Sequence, residues 1–454
     1  MNNTTEGNLT HDILGIGIPS FLETLFTTFA SIIDSKMVSM LGVTAISAVA
    51  VTNQPRLFIF SIFFALNTVT SSLVAKNVGS KNRDAANMVF DHILKLVIIL
   101  SIIAGCLAAL LARPIMIAFA NQKDTLEASV TYFRIVMGGM IFNMIFMTIN
   151  SALRGCGRTK LTFASNMISC AVNILCNYFL IEGHMGFPRL EYAGAAIATV
   201  MGTVAATILT LVFAFKEDEF VNIPYCIRKK YKMTKDSLSE IAKLAKSCIT
   251  DSLAMRLSLL LIAGIVARIG SYQMAVYSTG MHLLNVNMAL GMGFQTAGVA
   301  LIGRCYGASD VQGMHAYKKQ LTKMGTATAL VLAAIIMLSG RWFFGFFSSD
   351  EEFVSMGIIS CFFIGAITLS QTLKFVYSGC LQGVSAMKEV MIASIVSFSG
   401  VNLISLIVLV LVFQIGLWGV WIATLLSQTV QALMLYGYIK KSTAYKSEEK
   451  GTAL

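Results

Sequence analysis

The first long apolar segment of the chain contains the sequences IPSFLE at residues 18–23 and IIDSK at residues 32–36. It therefore carries two carboxylates and a proline where hydrocarbon is expected. An aspartate at the centre of a membrane-spanning helix costs about 2.5–3.5 kcal/mol, so Asp34 is expected to face a cavity or a partner, or else to cap the outer end of its helix. Pro19 lacks an N–H, and its ring is expected to kink the helix about one turn before Glu23.

The composition places the chain in a membrane. It is 56% hydrophobic and 13% charged over 454 residues, whereas soluble domains are about 25% charged. The apolar residues form blocks of about 20 or more, which suits spanning helices and not the short alternating strands of a barrel. The net charge of +11 comes from basic residues in short loops, so nucleic acid is not an expected partner. Nine cysteines without a CxxC pair predict neither a disulfide framework nor a metal site.

The apolar blocks predict twelve membrane-spanning helices. Their expected ranges are 13–35, 46–75, 87–112, 127–150, 160–182, 193–215, 239–268, 274–302, 319–341, 353–379, 389–413 and 417–439. Lysines and arginines concentrate in alternate loops, and by the positive-inside rule that side is cytoplasmic. The chain is therefore expected to be a multi-pass protein of the cell (inner or plasma) membrane, with both termini in the cytoplasm.

The sequences on the two sides of a long charged connection repeat each other. Matching residues lie 228 positions apart: Gly42 and Gly270, Gly79 and Gly307, Gly155 and Gly383, Lys160 and Lys388. Such a constant spacing indicates a duplication. The predicted fold is an all-α integral membrane protein, with twelve helices in two pseudo-symmetric six-helix lobes around a central cleft. The predicted segments are a cytoplasmic tail 1–12, a lobe 13–215, a cytoplasmic linker 216–238, a lobe 239–440 and a cytoplasmic tail 441–454.

The repeat treats the two carboxylates of the first span differently. Asp34 matches Ile262 in the second half, whereas Glu23 matches Asp251. An acid with a purely structural role would be expected in both halves, so the unmatched Asp34 is the better candidate for an ion site. Glu23 and Asp251 are instead candidates to line the cleft, where negative charge would attract cationic substrates.

Several short motifs, taken in their order, resemble the multidrug and toxic compound extrusion (MATE) family over nearly the whole chain. Besides the proline and aspartate of the first span they are MLG at 40–42, VG at 78–79, LRGCGRTK at 153–160, NILCNY at 173–178, GAAIAT at 194–199 and LIGRCYGA at 301–308. The resemblance points to the DinF-like bacterial branch. It implies two six-helix lobes and antiport of organic cations against protons or sodium ions.

In the DinF-like branch, the resemblance further implies an ion site made by the first-span aspartate with groups of the fifth and sixth spans. The matching residues here are Asp34, Asn173, Asn177, Ala195 and Thr199. Asn177 stands where the branch often has an aspartate, which leaves Asp34 as the main ionisable ligand. The NorM-like branch has an acid on the tenth span where this chain has Gln371, so a second ion site is not expected there.

Either coupling ion suits these residues. Asn173 and Asn177 are four positions apart and share a helix face, so their amide oxygens could join the Asp34 carboxylate around sodium. A buried carboxylate could equally take up a proton from outside and release it inside. Each asparagine taken singly is as readily explained by an interhelical hydrogen bond, worth about 0.6 kcal/mol. Neutralising Asp34 is expected to let the helix bend at its hinge, Pro19.

The remaining polar residues of the spans carry weaker signals. Gln371 and His282 are assigned to the substrate cleft with the two matched acids, although helix packing explains His282 and Lys374 as well. The sequence holds no Walker motif, metal-ligand cluster or catalytic dyad. We therefore expect no enzymatic activity, no cofactor beyond the coupling ion, and no metal other than a possible sodium ion at Asp34.

The sequence thus predicts a multidrug exporter that moves lipophilic cationic drugs by antiport and works as a monomer in the bilayer. The alternative is a lipid-linked oligosaccharide or polysaccharide flippase of the same superfold. A flippase would need basic residues in its cleft to bind pyrophosphate. Here only Arg256 and Lys374 compete with the acids Glu23 and Asp251.

Overall fold

A computed structural model describes residues 6–119, 123–217 and 219–446, which are almost entirely helical. Contacts divide the chain into two compact units. The first unit is Leu22–Ala245, and the second unit combines Met1–Phe21 with Lys246–Leu454.

The helices follow one another with short connections. They are α1 (Glu6–Ser39), α2 (Val43–Gly79), α3 (Arg83–Leu110), α4 (Ala112–Phe119), α5 (Lys123–Gly138), α6 (Met140–Gly155), α7 (Thr159–Leu180), α8 (Glu191–Ala214), α9 (Ile223–Lys229), α10 (Lys235–Ile269), α11 (Ser271–Gly307), α12 (Val311–Phe347), α13 (Glu351–Gly383), α14 (Met387–Ser394), α15 (Leu403–Leu406) and α16 (Leu417–Lys441). Two π-helical segments, Ile395–Asn402 and Ile407–Val412, flank α15 and join α14 to it as one long span. We call Ile395–Asn402 the π segment.

The number of spans agrees with the sequence prediction. Within the described residues, eleven helices are long and apolar enough to cross a membrane. Residues Thr125–Gly138 and Met140–Gly155 pass the same test as a pair bent by 47°, which makes twelve. The all-helical fold class is thereby confirmed, and each predicted range overlaps one of these spans.

The start of α1 differs from the prediction. The helix begins at Glu6, so part of the polar stretch that was expected to be a tail is helical. Its polar side chains have partners in the second unit, because Gln320 donates to the Thr10 hydroxyl at 2.7 Å and the Tyr317 hydroxyl donates to Asp12 at 2.6 Å. These contacts satisfy polar groups that hydropathy alone assigns to solvent.

The middle of α1 holds the expected hinge residue. The helix continues through Pro19 to Ser39, and the kink remains a prediction. A Cβ added to Gly293 would lie 2.8 Å from the Gly17 carbonyl oxygen, so α1 and α11 approach at backbone distance in the second unit. The division between the units falls within α1, between Phe21 and Leu22.

The linker expected at 216–238 contains the short helix α9 and is held against α3 in the first unit. The Arg83 guanidinium donates to the carbonyl oxygens of Glu217 and Glu219 at 2.8 and 2.9 Å. The Asn87 amide donates to the Phe220 carbonyl, and its oxygen accepts from the Asn222 N–H, both at 2.9 Å. The charged connection is therefore ordered by side chains that bind its backbone.

Candidate functional site

Asp34 lies inside α1, five residues before the helix ends, and is half-buried in the first unit. Its Oδ1 accepts a hydrogen bond from the Asn177 amide nitrogen on α7 at 2.6 Å. The contact joins two helices, so the carboxylate is turned towards a partner and does not simply cap its own helix.

The other expected ion-site residues continue from Asn177 as a chain of polar contacts. The Asn177 amide nitrogen also lies 3.4 Å from the Asn173 oxygen, and the Asn173 nitrogen lies 3.5 Å from the Thr199 hydroxyl. Thr199 in turn donates to the Ala195 carbonyl at 3.0 Å. The structure therefore brings together Asp34, Asn173, Asn177, Ala195 and Thr199, and their role in ion coupling remains a prediction.

Close packing of α7 against α8 explains why these residues meet. A Cβ added to Gly202 on α8 would lie 2.7 Å from the Ser169 carbonyl oxygen on α7, and one on Gly194 would lie 2.4 Å from the Leu180 carbonyl oxygen. Small residues of this kind let helices approach at backbone distance within a membrane. Glycines at both ends of the contact thus hold the asparagines of α7 beside Thr199.

Two further residues act on this cluster. The hydroxyl of Tyr132, a buried residue of α5, interacts with Thr199 and lies within electrostatic range of Asp34. Arg56 of α2 also lies within electrostatic range of Asp34, and its guanidinium donates to Asn53 at 2.7 Å. Sequence reasoning did not assign Tyr132 or Arg56 to this site, since neither residue carries a local motif.

The oxygen atoms of the cluster are suitable ligands for a small hard cation. The side-chain oxygen of Asn177 is buried and has no hydrogen-bond partner within the described residues. An ionised carboxylate can accept about four hydrogen bonds, and among the described residues Asp34 accepts one, from Asn177. Free carboxylate and amide oxygens are ligands that sodium prefers, and the carboxylate can also take up a proton.

Glu23 lies on the same helix in a closed network. It is 6% exposed, forms an ion pair with Arg154 of α6, and accepts from the Thr162 hydroxyl at 2.9 Å and the Asn166 amide at 2.7 Å. Three donors from α6 and α7 therefore occupy this carboxylate. Its expected position in a substrate cleft remains a prediction.

The other expected cleft residues lie in the second unit, and among the described residues no hydrogen bond joins them to one another. Gln371 is buried and accepts from the Asn287 amide at 2.6 Å, which is a contact between α13 and α11. The exposed His282 ring stacks parallel to Phe347 with centroids 6.3 Å apart. Asp251 of α10 interacts with Ser394.

In the part of the chain that the structure describes, no group of three or more His, Cys, Asp or Glu side chains could hold a metal ion. The oxygen cluster around Asp34 is of a different kind, because it contains a single carboxylate with amide, hydroxyl and carbonyl oxygens.

Known proteins resemble the chain over almost its whole length. A family model described as MatE matches residues 19–179 and again residues 248–408, once in each half. The chain is 23% identical over 413 residues to a probable multidrug resistance protein NorM of Thermotoga maritima, covering 90% of this chain and 88% of that protein. It is 22% identical to the multidrug export protein MepA of Staphylococcus aureus, covering 94% and 93%. A solved structure, the outward-facing conformation of a multidrug resistance MATE family transporter of the MOP superfamily, aligns with a TM-score of 0.88 at 20% identity over 96% of both chains, which shows the fold.

Proposed function

The chain belongs to the MatE family of membrane transporters, and we propose that it exports lipophilic organic cations by antiport with protons or sodium ions. The proposal rests on the oxygen cluster at Asp34, which joins α1, α7 and α8 in the first unit. Intramembrane carboxylates are rare and mark ion or proton pathways. The similar proteins named for multidrug resistance and multidrug export support drugs as the cargo.

The coupling step follows from the charge of Asp34. With no ion bound, the carboxylate keeps its charge, and the Asn177 amide and the nearby Arg56 compensate it in part. An incoming proton or sodium ion cancels that charge and changes the hydrogen bonds between α1 and α7. Since Pro19 has no N–H to donate within the helix, α1 has a place where it can respond by bending.

A cavity in the second unit supports a lipophilic cargo. It has a volume of about 360 Å³, and its lining is almost entirely carbon, from Phe21 of α1 and from side chains of α11 and α12. Val331 and Ile335 belong to this lining and are themselves exposed, so the cavity opens on the apolar surface of the helices. An apolar group can enter such a cavity from the bilayer.

Efflux of ethidium from cells, or its uptake into energised inverted vesicles, tests the proposal, with the proton and sodium gradients collapsed separately. We expect wild type to move ethidium, one of the two collapses to stop it, and Asp34→Asn to lose the ion-driven component. Glu351→Gln removes an exposed carboxylate at the start of α13 and is the matched control. If Asp34→Asn transports ethidium as wild type does, Asp34 is not the coupling site. If wild type does not transport ethidium, the alternative of a lipid-linked sugar flippase is favoured.

A further inference from the structure

A buried lysine in the second unit lies against two aromatic rings. Lys374 lies within α13, is 8% exposed, and has its ammonium 4.5 Å from the Phe375 ring centre and 5.5 Å from that of Phe398. Within the described residues, the ammonium donates no hydrogen bond and has no carboxylate oxygen within 4 Å. A buried charge of this kind in a membrane is costly, so its retention calls for a functional account.

Asp251 is the acid that acts on this lysine. Its carboxylate interacts electrostatically with Lys374 and has a hydrogen-bonding interaction with the Ser394 hydroxyl, which accepts from the Gln431 amide at 2.8 Å. Cys248, one turn earlier on α10, is the other titratable group in range among the described residues. Side chains of helices α10, α13, α14 and α16 therefore belong to one set of polar interactions, which we call the Asp251 cluster.

The π segment and α16 carry further buried polar side chains, and some of their oxygen atoms have no hydrogen-bond donor among the described residues. The Ser427 hydroxyl donates to the Ser397 carbonyl at 2.8 Å, which holds the two elements together. In the described chain, four buried side-chain oxygens of these elements lack a partner; they belong to Ser397, Asn402, Gln428 and Gln431. π-helical geometry is frequent at functional sites. The π segment reaches the ammonium through Phe398, so the unpartnered acceptors of this segment offer alternative positions for a cation.

The duplication places the same acid contact in both units. Glu23 and Asp251 are 228 positions apart, and so are Asn166 and Ser394. The Asn166 amide donates to Glu23 at 2.7 Å, and Ser394 interacts with Asp251. Each unit therefore keeps a carboxylate held by the helix that follows its fourth span.

The basic partner, in contrast, has changed position between the repeats. Arg154 forms a direct ion pair with Glu23, but the residue 228 positions later is Gln382. The cation of α13 is instead Lys374, eight residues and about two turns before that position. The direct ion pair of Glu23 and Arg154 in the first unit thus corresponds to an acid and a lysine in the second unit, Asp251 and Lys374, that interact without a direct ion pair in the described residues.

We propose that Lys374 is a tethered counter-ion of Asp251, and that its ammonium does at Asp251 what an exchangeable proton or sodium ion does at Asp34. The second unit then binds no coupling ion. The flexible lysine stem lets the ammonium pair with Asp251 or turn to the unpartnered oxygens along the π segment, which frees the carboxylate for a cationic cargo. The comparison with Asp34 rests on the proposed function.

Removing the tethered cation should create an ion site. In Lys374→Met the Asp251 carboxylate loses its cation, and an unpaired charge among packed helices is strongly unfavourable. It must then take up a proton or a sodium ion from solution. Infrared spectra of the reconstituted, substrate-free protein, compared between variant and wild type, show such a proton as the C=O band of a protonated carboxyl group.

We expect wild type to show no Asp251 carboxyl band at neutral pH, and Lys374→Met to gain a band of about one carboxyl group per protein, which added sodium removes if that ion competes. The band should be absent from the double variant Asp251→Asn with Lys374→Met. Lys374→Arg keeps a cation and should match wild type, as should Lys388→Met, which removes an exposed lysine of α14.

The proposal is overturned if, in sodium-free buffer, Lys374→Met and wild type give the same spectrum, or if the new band persists in the double variant. Lys374→Gln replaces Lys374→Met if the latter does not elute as a single species. The spectra need no transported drug, so they stand apart from the ethidium test, in which Asp34 alone is at stake.

Discussion

Glu23 and Asp34 lie on one helix of the first unit, eleven residues and about three turns apart, and yet their surroundings are opposite. Glu23 is tied by Arg154, Thr162 and Asn166. Asp34 has one hydrogen bond, from Asn177, and Arg56 acts on it without an ion pair within 4 Å in the described residues. A saturated carboxylate keeps one state, whereas an unsaturated one can exchange ions.

Substitutions at the two acids should affect different properties of the protein. Breaking a buried ion pair leaves an uncompensated charge, so substitutions around Glu23 should reduce stability. Asp34 contributes little to stability because few contacts depend on its charge, so substitutions there should change transport. The expected effects below decrease in size, and each result would either break or sharpen this contrast.

The largest effect is expected for Arg154→Ala. It should lower the free energy of unfolding by about 3 kcal/mol, near the lower end for buried pairs because the arginine side chain is 31% exposed. Thermal unfolding in detergent measures the change, and adding Glu23→Gln should recover part of it. Arg158→Ala, which breaks a more exposed pair with Glu219, is the control. Equal losses for Arg154→Ala and Arg158→Ala would contradict the structural role of Glu23.

Asn177→Ala should change ion affinity by about 1.5–3 kcal/mol, or roughly 10- to 100-fold, since it removes the hydrogen bond to an ionised carboxylate. The sign identifies the ion. Sodium affinity should fall because an amide ligand is lost, whereas proton affinity should rise because the charged carboxylate loses its donor. The change in ion affinity is measured as a shift in the sodium concentration or the pH at which export is half-maximal. An unchanged midpoint for both ions would exclude Asn177 from the site.

Asp34→Asn should alter the free energy of unfolding by less than about 1 kcal/mol while ion-driven export is lost, because the amide retains the shape of the carboxylate without its charge. Thermal unfolding and ethidium efflux, measured on the same preparation, separate the two effects. A loss of stability as large as that of Arg154→Ala would mean that Asp34 is also structural.

Thr199→Val should have the smallest effect, a change of about 0.6 kcal/mol or threefold in ion affinity, the size of an average interhelical hydrogen bond in a membrane. The hydroxyl stands at the far end of the asparagine chain, 3.5 Å from Asn173. The same midpoint measurement tests it, with Thr203→Val on the same helix as control. A loss of 100-fold or more would make Thr199 a direct ligand of the ion.

Several features of the second unit were only partly foreseeable. Matching the halves identified the pair Glu23 and Asp251 from sequence alone. It did not show that Arg154 neutralises the first acid directly while Lys374 stays apart from the second. The side-chain partners of Asp251 lie on helices far away in the chain, and no spacing rule connects them.

The sequence by itself determined the spans and the duplication, because hydropathy adds up over neighbouring residues and a repeat keeps its spacing. The residues grouped with Asp34 came from the family resemblance. Only the tertiary structure decided which acids are saturated. The donors to Glu23 lie 131 to 143 positions away, so only helix packing brings them within hydrogen-bonding distance. Whether a carboxylate is free to exchange an ion depends on the number of such donors, and that number is set where helices meet.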